Sequence, residues 1–221
     1  MKSNKVIIFG VLDTAELAYY YLSNDSEYEV VAFTLTKDYI EKREFYGLPV
    51  VAFEDLENLF PPEDYLLFCP MTAKKMNTLR EKIYLEGKKK GYQFASYISS
   101  KATIFNNEIG ENCFILEDNT IQPFTKIGNN VVLWSGNHIG HHGEIKDHVF
   151  FTSHVVMSGH CVIESHCFFG VNATIRDYST ISKGTLVAMG ACLTKQSTEE
   201  WSVYVGNPAK RLGDKKSYDL Y

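Results

Sequence analysis

The chain has 221 residues, enough for two modest domains, and its 45% hydrophobic and 22% charged residues are those of an ordinary globular protein. Its formal net charge is −5 and its one basic block is Lys88-Lys89-Lys90, which leaves no electrostatic footprint for a nucleic-acid partner. The start carries only a short apolar run behind two lysines, and no later stretch approaches the roughly 18 apolar residues of a membrane span. No membrane insertion is expected. The five cysteines (Cys69, Cys113, Cys161, Cys167, Cys192) are odd in number and lack C-x-x-C spacing, so reduced, buried thiols in a cytoplasmic protein are expected.

The first hundred residues alternate short apolar runs with helical patterns. Val6-Ile7-Ile8-Phe9 reads as a buried strand ended by a turn at Gly10. Asp13 or Thr14 can then cap a helix carrying Leu17, Ala18, Tyr21 and Leu22 on one side. Val30–Phe33 is a second strand and Tyr65–Cys69 a third. A lysine-rich amphipathic helix is predicted over 72–90, with Met76, Leu79, Ile83 and Leu85 inward. This order is that of a small Rossmann-like unit with a parallel sheet, expected over residues 1–100.

From about Ala102 the helical period gives way to a period of six. Every sixth residue from Ile109 to Leu193 is apolar: Ile109, Ile115, Ile121, Ile127, Leu133, Ile139, Ile145, Phe151, Met157, Ile163, Phe169, Ile175, Ile181, Val187, Leu193. Small or β-branched residues tend to stand two positions earlier, and Gly110, Gly128, Gly140 and Gly170 follow their apolar residues. This is hexapeptide-repeat spacing of the parallel β-helix kind. Three hexads make one triangular coil, with the apolar residues inside and the coils stacked at about 4.8 Å. The phase is never broken, so no long loop should project. A β-helix of about five coils over 101–196, followed by a loop and tail over 197–221, is expected.

These hexads resemble the left-handed β-helix acyltransferases, and Val205-Gly206-Asn207-Pro208-Ala209-Lys210 resembles the loop that closes that family's helix. With a βαβ unit in front, the chain resembles bacterial nucleotide-sugar acetyltransferases of the PglD/NeuD type along nearly its whole length. The resemblance implies a homotrimer that binds acetyl-CoA between neighbouring β-helices and needs no metal. The N-terminal unit would hold the nucleotide of an amino sugar, with a 4-amino-4,6-dideoxyhexose as acceptor and bacterial surface glycan as product.

All seven histidines lie between residues 138 and 166. In the family the catalytic base stands two residues after an inward hexad residue, so Ile139 assigns that role to His141, with His142 as an accessory. Imidazole suits the removal of an amine proton, because its ordinary pKa near 6.5 leaves it largely neutral at neutral pH. Some relatives follow the base with a glutamate, where this chain has His142. Asn137, Glu117 and Asp118 are therefore candidates for orienting His141. Relatives also place a second histidine near the acetyl group nine residues beyond the base, where this chain has Phe150; His154 is the candidate to take over. His148, His160 and His166 read as surface decoration, with residues eighteen apart, such as His142 and His160, stacked on adjacent coils.

By the same resemblance, acetyl-CoA would run past Phe150, His154, Gly159, Val171 and Met189 to Asn207, Pro208 and Lys210, with Arg211 near its phosphates. Nucleotide-sugar contacts would come from Gly10, Leu12, Asp13 and Thr14 after the first strand, and from Thr34 and Thr36 after the second. Backbone N–H groups at a helix start suit a phosphate. The full G-x-G-x-x-G pattern of a dinucleotide site is missing. Lys75 and Asn77 are further candidates for the nucleotide-sugar site, although they read as surface residues of the helix predicted over 72–90. Three other readings stay open: a sugar O-acetyltransferase of the sialic-acid type, a non-catalytic nucleotide-sugar-binding trimer, and a β-helix metal enzyme. For the last, the histidines span too short a stretch to supply the long ligand separation of the carbonic anhydrases of that fold, although the cluster could trap metal incidentally.

Overall fold

The computed structural model describes residues 4–220; residues 1–3 and 221, the outer ends of the expected first and last segments, lie outside the described residues. The N-terminal sheet is built from β1 (Lys5–Phe9), β2 (Glu29–Leu35), β3 (Glu44–Phe45), β4 (Leu48–Ala52), β5 (Leu66–Phe68) and β6 (Gln93–Phe94). Its order is β3-β4-β2-β1-β5-β6, parallel except for the β3–β4 hairpin. The chain therefore moves outward from β1 on one side and then returns to its other side, which makes the carboxyl end of β1 a switch point of the Rossmann kind. Helix α1 (Asp13–Asn24) buries Ala15, Ala18 and Leu22, the inner stripe of a 3.6-residue period, and the single turn α2 (Leu56–Leu59) precedes β5.

Three local expectations need correcting. Helix α1 is capped by Leu12, with no side-chain bond, so neither Asp13 nor Thr14 is the cap; both sit in the first turn. The helix predicted over 72–90 is α3 (Thr78–Lys89), because Lys75, Met76 and Asn77 take left-handed φ values of 52°, 49° and 65°. Three consecutive left-handed residues cannot belong to a right-handed helix. Leu85 faces outward and Asn77 is fully buried, the reverse of what the pattern suggests. Strand β4 was not anticipated; a proline in a five-residue run obscures it.

Beyond residue 96 the chain winds into a three-sided parallel β-helix of two-residue strands. Thr120 pairs with His138 and His138 with Val156, so one coil takes eighteen residues. Ile115 through Leu193 of the hexad series form one buried column, with Ile109 packed partly buried at its end. Each such side chain, moved from water to this column, contributes about 1.5–3 kcal/mol. The uninterrupted phase holds through the column, as expected. Three faces result. The docked face carries Phe114, Val132, Phe150, Phe168 and Leu186 outward, and these pack in one cluster with Val6, Ile8, Ala18 and Phe68 of the N-terminal unit. The histidine face runs through Thr120, His138, Val156, Thr174 and Cys192; the charged face runs through Lys126, Glu144, Val162 and Thr180.

The parallel stack is longer than the hexads alone. Tyr97–Ile98 pairs with Phe114–Ile115 at one end, and Ser202–Val205 with Leu186–Val187 at the other. Residues after 196 are thus not merely loop: Ser202–Val205 and Lys210–Lys216 form an antiparallel pair joined to the docked face. The five cysteines are free thiols and four are buried, Cys192 being half-buried. Burial pushes the Cys113 thiol up to about 11, so it stays neutral and unreactive at neutral pH.

Candidate active site

At successive turns of the β-helix, from Ile109 to Val187, the residue three after the inward hexad position takes a left-handed conformation: Asn112, Asp118, Phe124, Asn130, Gly136, His142, His148, His154, His160, His166, Asn172, Tyr178, Gly184 and Gly190 all have φ between 53° and 78°. Asn, Asp, His and Gly are the residues that tolerate this region best. The six-residue spacing of five histidines is therefore first a consequence of the corner geometry. What each does depends on which edge of the prism it occupies.

The edge between the histidine and charged faces carries Phe124, His142, His160 and Tyr178. Their rings form a continuous stack: Phe124–His142 at 4.7 Å, His142–His160 at 5.1 Å and 16°, His160–Tyr178 at 4.6 Å and 3°. The expected stacking of His142 on His160 is present. His141 stands edge-on to both of those imidazoles, at 5.1 Å from each and within 2° of perpendicular. Its Nδ1 lies 3.0 Å from His142 Nδ1, and its backbone N–H donates to Gln122 Oε1 at 3.1 Å. Gly159, one coil on, makes room for the His141 ring: a Cβ there would lie 2.9 Å from Cε1 and 3.0 Å from Nε2. His141 and His142 are exposed and His160 is half-buried.

The side chain that meets the His141 ring nitrogen is His142, and not Asn137, Glu117 or Asp118. Asn137 is buried and spends its amide on Asn119 and Trp134 while accepting from the Val155 N–H. Glu117 accepts from Tyr21 and Ser135, tying α1 to the β-helix. Asp118 turns the chain at the edge between docked and histidine faces. Sequence reasoning passed over Gln122, nineteen residues before His141, and treated His160 as decoration; the eighteen-residue coil spacing was the signal that puts both beside His141 and His142.

Phe150 is a second correction. It is buried against Phe168, with ring centroids 5.7 Å apart, and under the Arg80 guanidinium at 5.6 Å, so it faces the N-terminal unit and no ligand. His154 is exposed on the edge between docked and histidine faces, its ring over Gly136; it does not meet His141 within the chain. Val171 and Met189 lie on that same edge, both exposed, whereas Gly159 lies with His141. Asn207, Pro208 and Lys210 are exposed at the tip of the C-terminal hairpin. That tip is fastened to the histidine face through Cys192, whose N–H donates to Gly206 O and whose carbonyl accepts from the Ala209 N–H. Arg211 is paired with Glu199 at 3.4 Å.

His148 and His166 occupy the edge between charged and docked faces, and the reading of them as surface residues is overturned. They are 7% and 4% exposed, covered by α3. Glu81 reaches both, with Oε1 3.5 Å from His148 Nε2 and Oε2 3.0 Å from His166 Nε2. Burial outweighs the attraction of Glu81 and pulls the His148 pKa well below its ordinary value.

At the switch point, Gly10 turns the chain with φ 112° and donates its N–H to Thr34 O. Leu12 is 76% exposed at the head of α1, beside Asp13 and Thr14. Thr34 is fully buried and its hydroxyl donates to Val51 O, so its side chain and carbonyl are both engaged inside the sheet. Thr36 opens the turn after β2 and is half-buried.

Residues 108–141 match the family described as bacterial transferase hexapeptide (six repeats). No curated protein matches the chain by sequence. Among solved structures, a mutant of perosamine N-acetyltransferase from Caulobacter crescentus, in complex with CoA and GDP-perosamine, is similar with a TM-score of 0.83 and 21% identity, over 95% of this chain and 97% of that one. The acetyltransferase domain of PglB from Neisseria gonorrhoeae FA1090 is similar at 0.81 and 19%, over 95% and 100%. WeeI from Acinetobacter baumannii AYE is similar at 0.79 and 24%, over 94% and 99%. The likeness shows the fold from end to end: a Rossmann-like unit followed by a left-handed parallel β-helix. No described helix is long and apolar enough to cross a membrane.

Proposed function

We propose that this chain transfers the acetyl group of acetyl-CoA to the amino group of a nucleotide-linked amino sugar, with His141 as general base. One observation carries the reading: an exposed imidazole, two residues after the inward Ile139, is held by a 3.0 Å Nδ1–Nδ1 contact to its neighbour over a glycine that leaves it room. If His141 Nδ1–H donates to the His142 Nδ1 lone pair, Nε2 of His141 is left free to accept a proton. The sugar nitrogen attacks the thioester carbonyl, His141 Nε2 takes the nitrogen's proton as the C–N bond forms, and the departing CoA sulfur receives that proton as C–S breaks. His142 keeps the ring oriented and shares the charge of the transient imidazolium. A neutral amine is the better nucleophile than a hydroxyl near neutral pH, so one histidine suffices for N-transfer.

The similar structures support this choice of substrates, since one is an N-acetyltransferase with CoA and GDP-perosamine bound. The switch point of the N-terminal sheet suits the nucleotide: the first turn of α1 begins there, beside Gly10, Leu12, Asp13 and Thr14, and Thr36 stands at the end of the neighbouring β2. Thr34 and Phe150 are withdrawn from the site. Acetyl-CoA would pass Gly159 on one border of the histidine face, and His154, Val171 and Met189 on the other, ending at Asn207, Pro208 and Lys210. Because those borders belong to opposite sides of one face, a groove containing both is most simply completed by a neighbouring copy; the proposed assembly is a homotrimer. Both substrates belong to the cytoplasm, the proposed location. In the test, untagged protein is mixed with acetyl-CoA and a panel of UDP-, dTDP- and GDP-linked 4-amino sugars, and free thiol is measured. Thiol release and an acetamido product with one of them are expected; silence across the panel sinks the proposal.

A further inference from the structure

The edge that carries His141 has more histidine than a general base requires. One ligand atom each from His141, His142 and His160 can be chosen so that all three lie within 4.8 Å of one another. We infer that these three side chains form a binding site for a divalent transition-metal ion of the zinc or copper class, as an inhibitor and not as a cofactor. The site is built by the fold. His142 and His160 occupy equivalent left-handed corners on successive coils, flanked by Phe124 and Tyr178, so the two imidazoles are brought to one edge of the prism, from which a turn of the exposed His142 ring lets both lone pairs converge on one ion. The third ring is laid across them from His141, whose carbonyl accepts the His160 N–H at 2.9 Å.

Among the described residues no carboxylate or thiol joins the cluster, and a set of imidazoles alone favours Zn²⁺, Cu²⁺ or Ni²⁺ over Mg²⁺ or Ca²⁺. Bonds of about 2.0–2.1 Å would draw the nitrogens together to about 3.3 Å in a tetrahedral site. The rings of His141 and His142 are exposed and can pivot that far, and a fourth position stays open to water. A metal needs the nitrogen lone pairs that a base also needs. Occupation of the site therefore removes His141 from proton transfer. That consequence rests on the reading of His141 as the base, whereas the binding itself does not.

The test uses full-length untagged protein and Zn²⁺ in competition with a chromophoric chelator near neutral pH. One ion per chain is expected. His160→Asn and His142→Asn, which both keep a residue suited to the left-handed corner, should each weaken binding by at least about 10-fold, the scale on which losing a supporting contact already acts. His138→Gln, outside the cluster, should not. Far-ultraviolet circular dichroism and thermal melts establish that each variant is folded. No zinc binding by the parent protein, an affinity unmoved in the two corner variants, or an equal loss in His138→Gln overturns the site. Tight binding that leaves acetyl transfer unaffected upholds the metal site and instead removes His141 from the role of base.

Discussion

His142 and His160 on one edge of the prism, and His148 and His166 on another, share the same backbone. All four sit three residues after an inward apolar side chain, with φ between 53° and 65°, and in each pair the ring centroids lie 5.1 Å apart across one coil. Their surroundings differ. The first pair lies open between Phe124 and Tyr178, with His141 across it; the second is roofed by α3, with Tyr84 and Glu81 against it. The corner geometry explains why histidine is acceptable at such positions, and the neighbouring unit decides whether it serves chemistry or docking. Periodicity therefore nominates residues, and only packing divides them.

The comparison is broken most directly by removing the proposed base. His141→Asn should lower turnover by about 10²–10⁴-fold, the usual worth of a general base, with an unchanged melting temperature. The same change at His166 should act on stability and leave the turnover of the folded enzyme near that of the parent. If steady-state kinetics and melts show the reverse pattern, the two edges have been assigned the wrong way round.

Next in size is Phe150→Ala. If Phe150 packs between the units, the truncation costs about 3–5 kcal/mol of stability in denaturant unfolding, and the KM for acetyl-CoA stays where it was. A raised KM with intact stability would return Phe150 to the ligand. Smaller still is Gly159→Ala. The new methyl group would press on the His141 ring, and because the ring end is movable the expected result is a displaced base. Turnover should then fall by about 10–100-fold with little loss of stability. A rate close to the parent's would show that the imidazole works from a different rotamer.

Much of this was legible in the sequence. The hexad series marked the inward column residue by residue, since a period of six has one solution in a three-sided coil; His141 became the candidate base only when the family resemblance was added to the position of Ile139. The docked face was legible too but went unread: Phe114, Val132, Phe150, Phe168 and Leu186 recur every eighteen residues, an apolar outward stripe that only a covering unit explains. The start of α3 was hidden for another reason. Met76 continues an amphipathic spacing, and nothing in local composition reveals that Lys75 to Asn77 turn left-handed to bury Met76 and Asn77 beneath the β-helix edge, where the Asn77 amide donates toward His166 O and Cys167 O at 3.4 Å.

The smallest effect concerns acid. His148 faces Glu81 and Arg80 from α3, and His166 and Asp147 from the β-helix, and its burial holds the folded-state pKa below the ordinary value of about 6.5. With the folded pKa lowered, the unfolded chain binds the proton that the folded chain refuses. The sign is then fixed: this residue's contribution is fully present above about pH 6.5 and is lost progressively as the pH falls below it, toward the lowered folded value. His148→Asn would keep the left-handed corner and a side chain able to meet Asn130, as Asn112 already does at 2.8 Å. Denaturant midpoints followed from neutral to mildly acidic pH should therefore fall less steeply in the variant than in the parent. Parallel slopes would mean that His148 is already charged when folded, and that Glu81, not burial, dominates this edge.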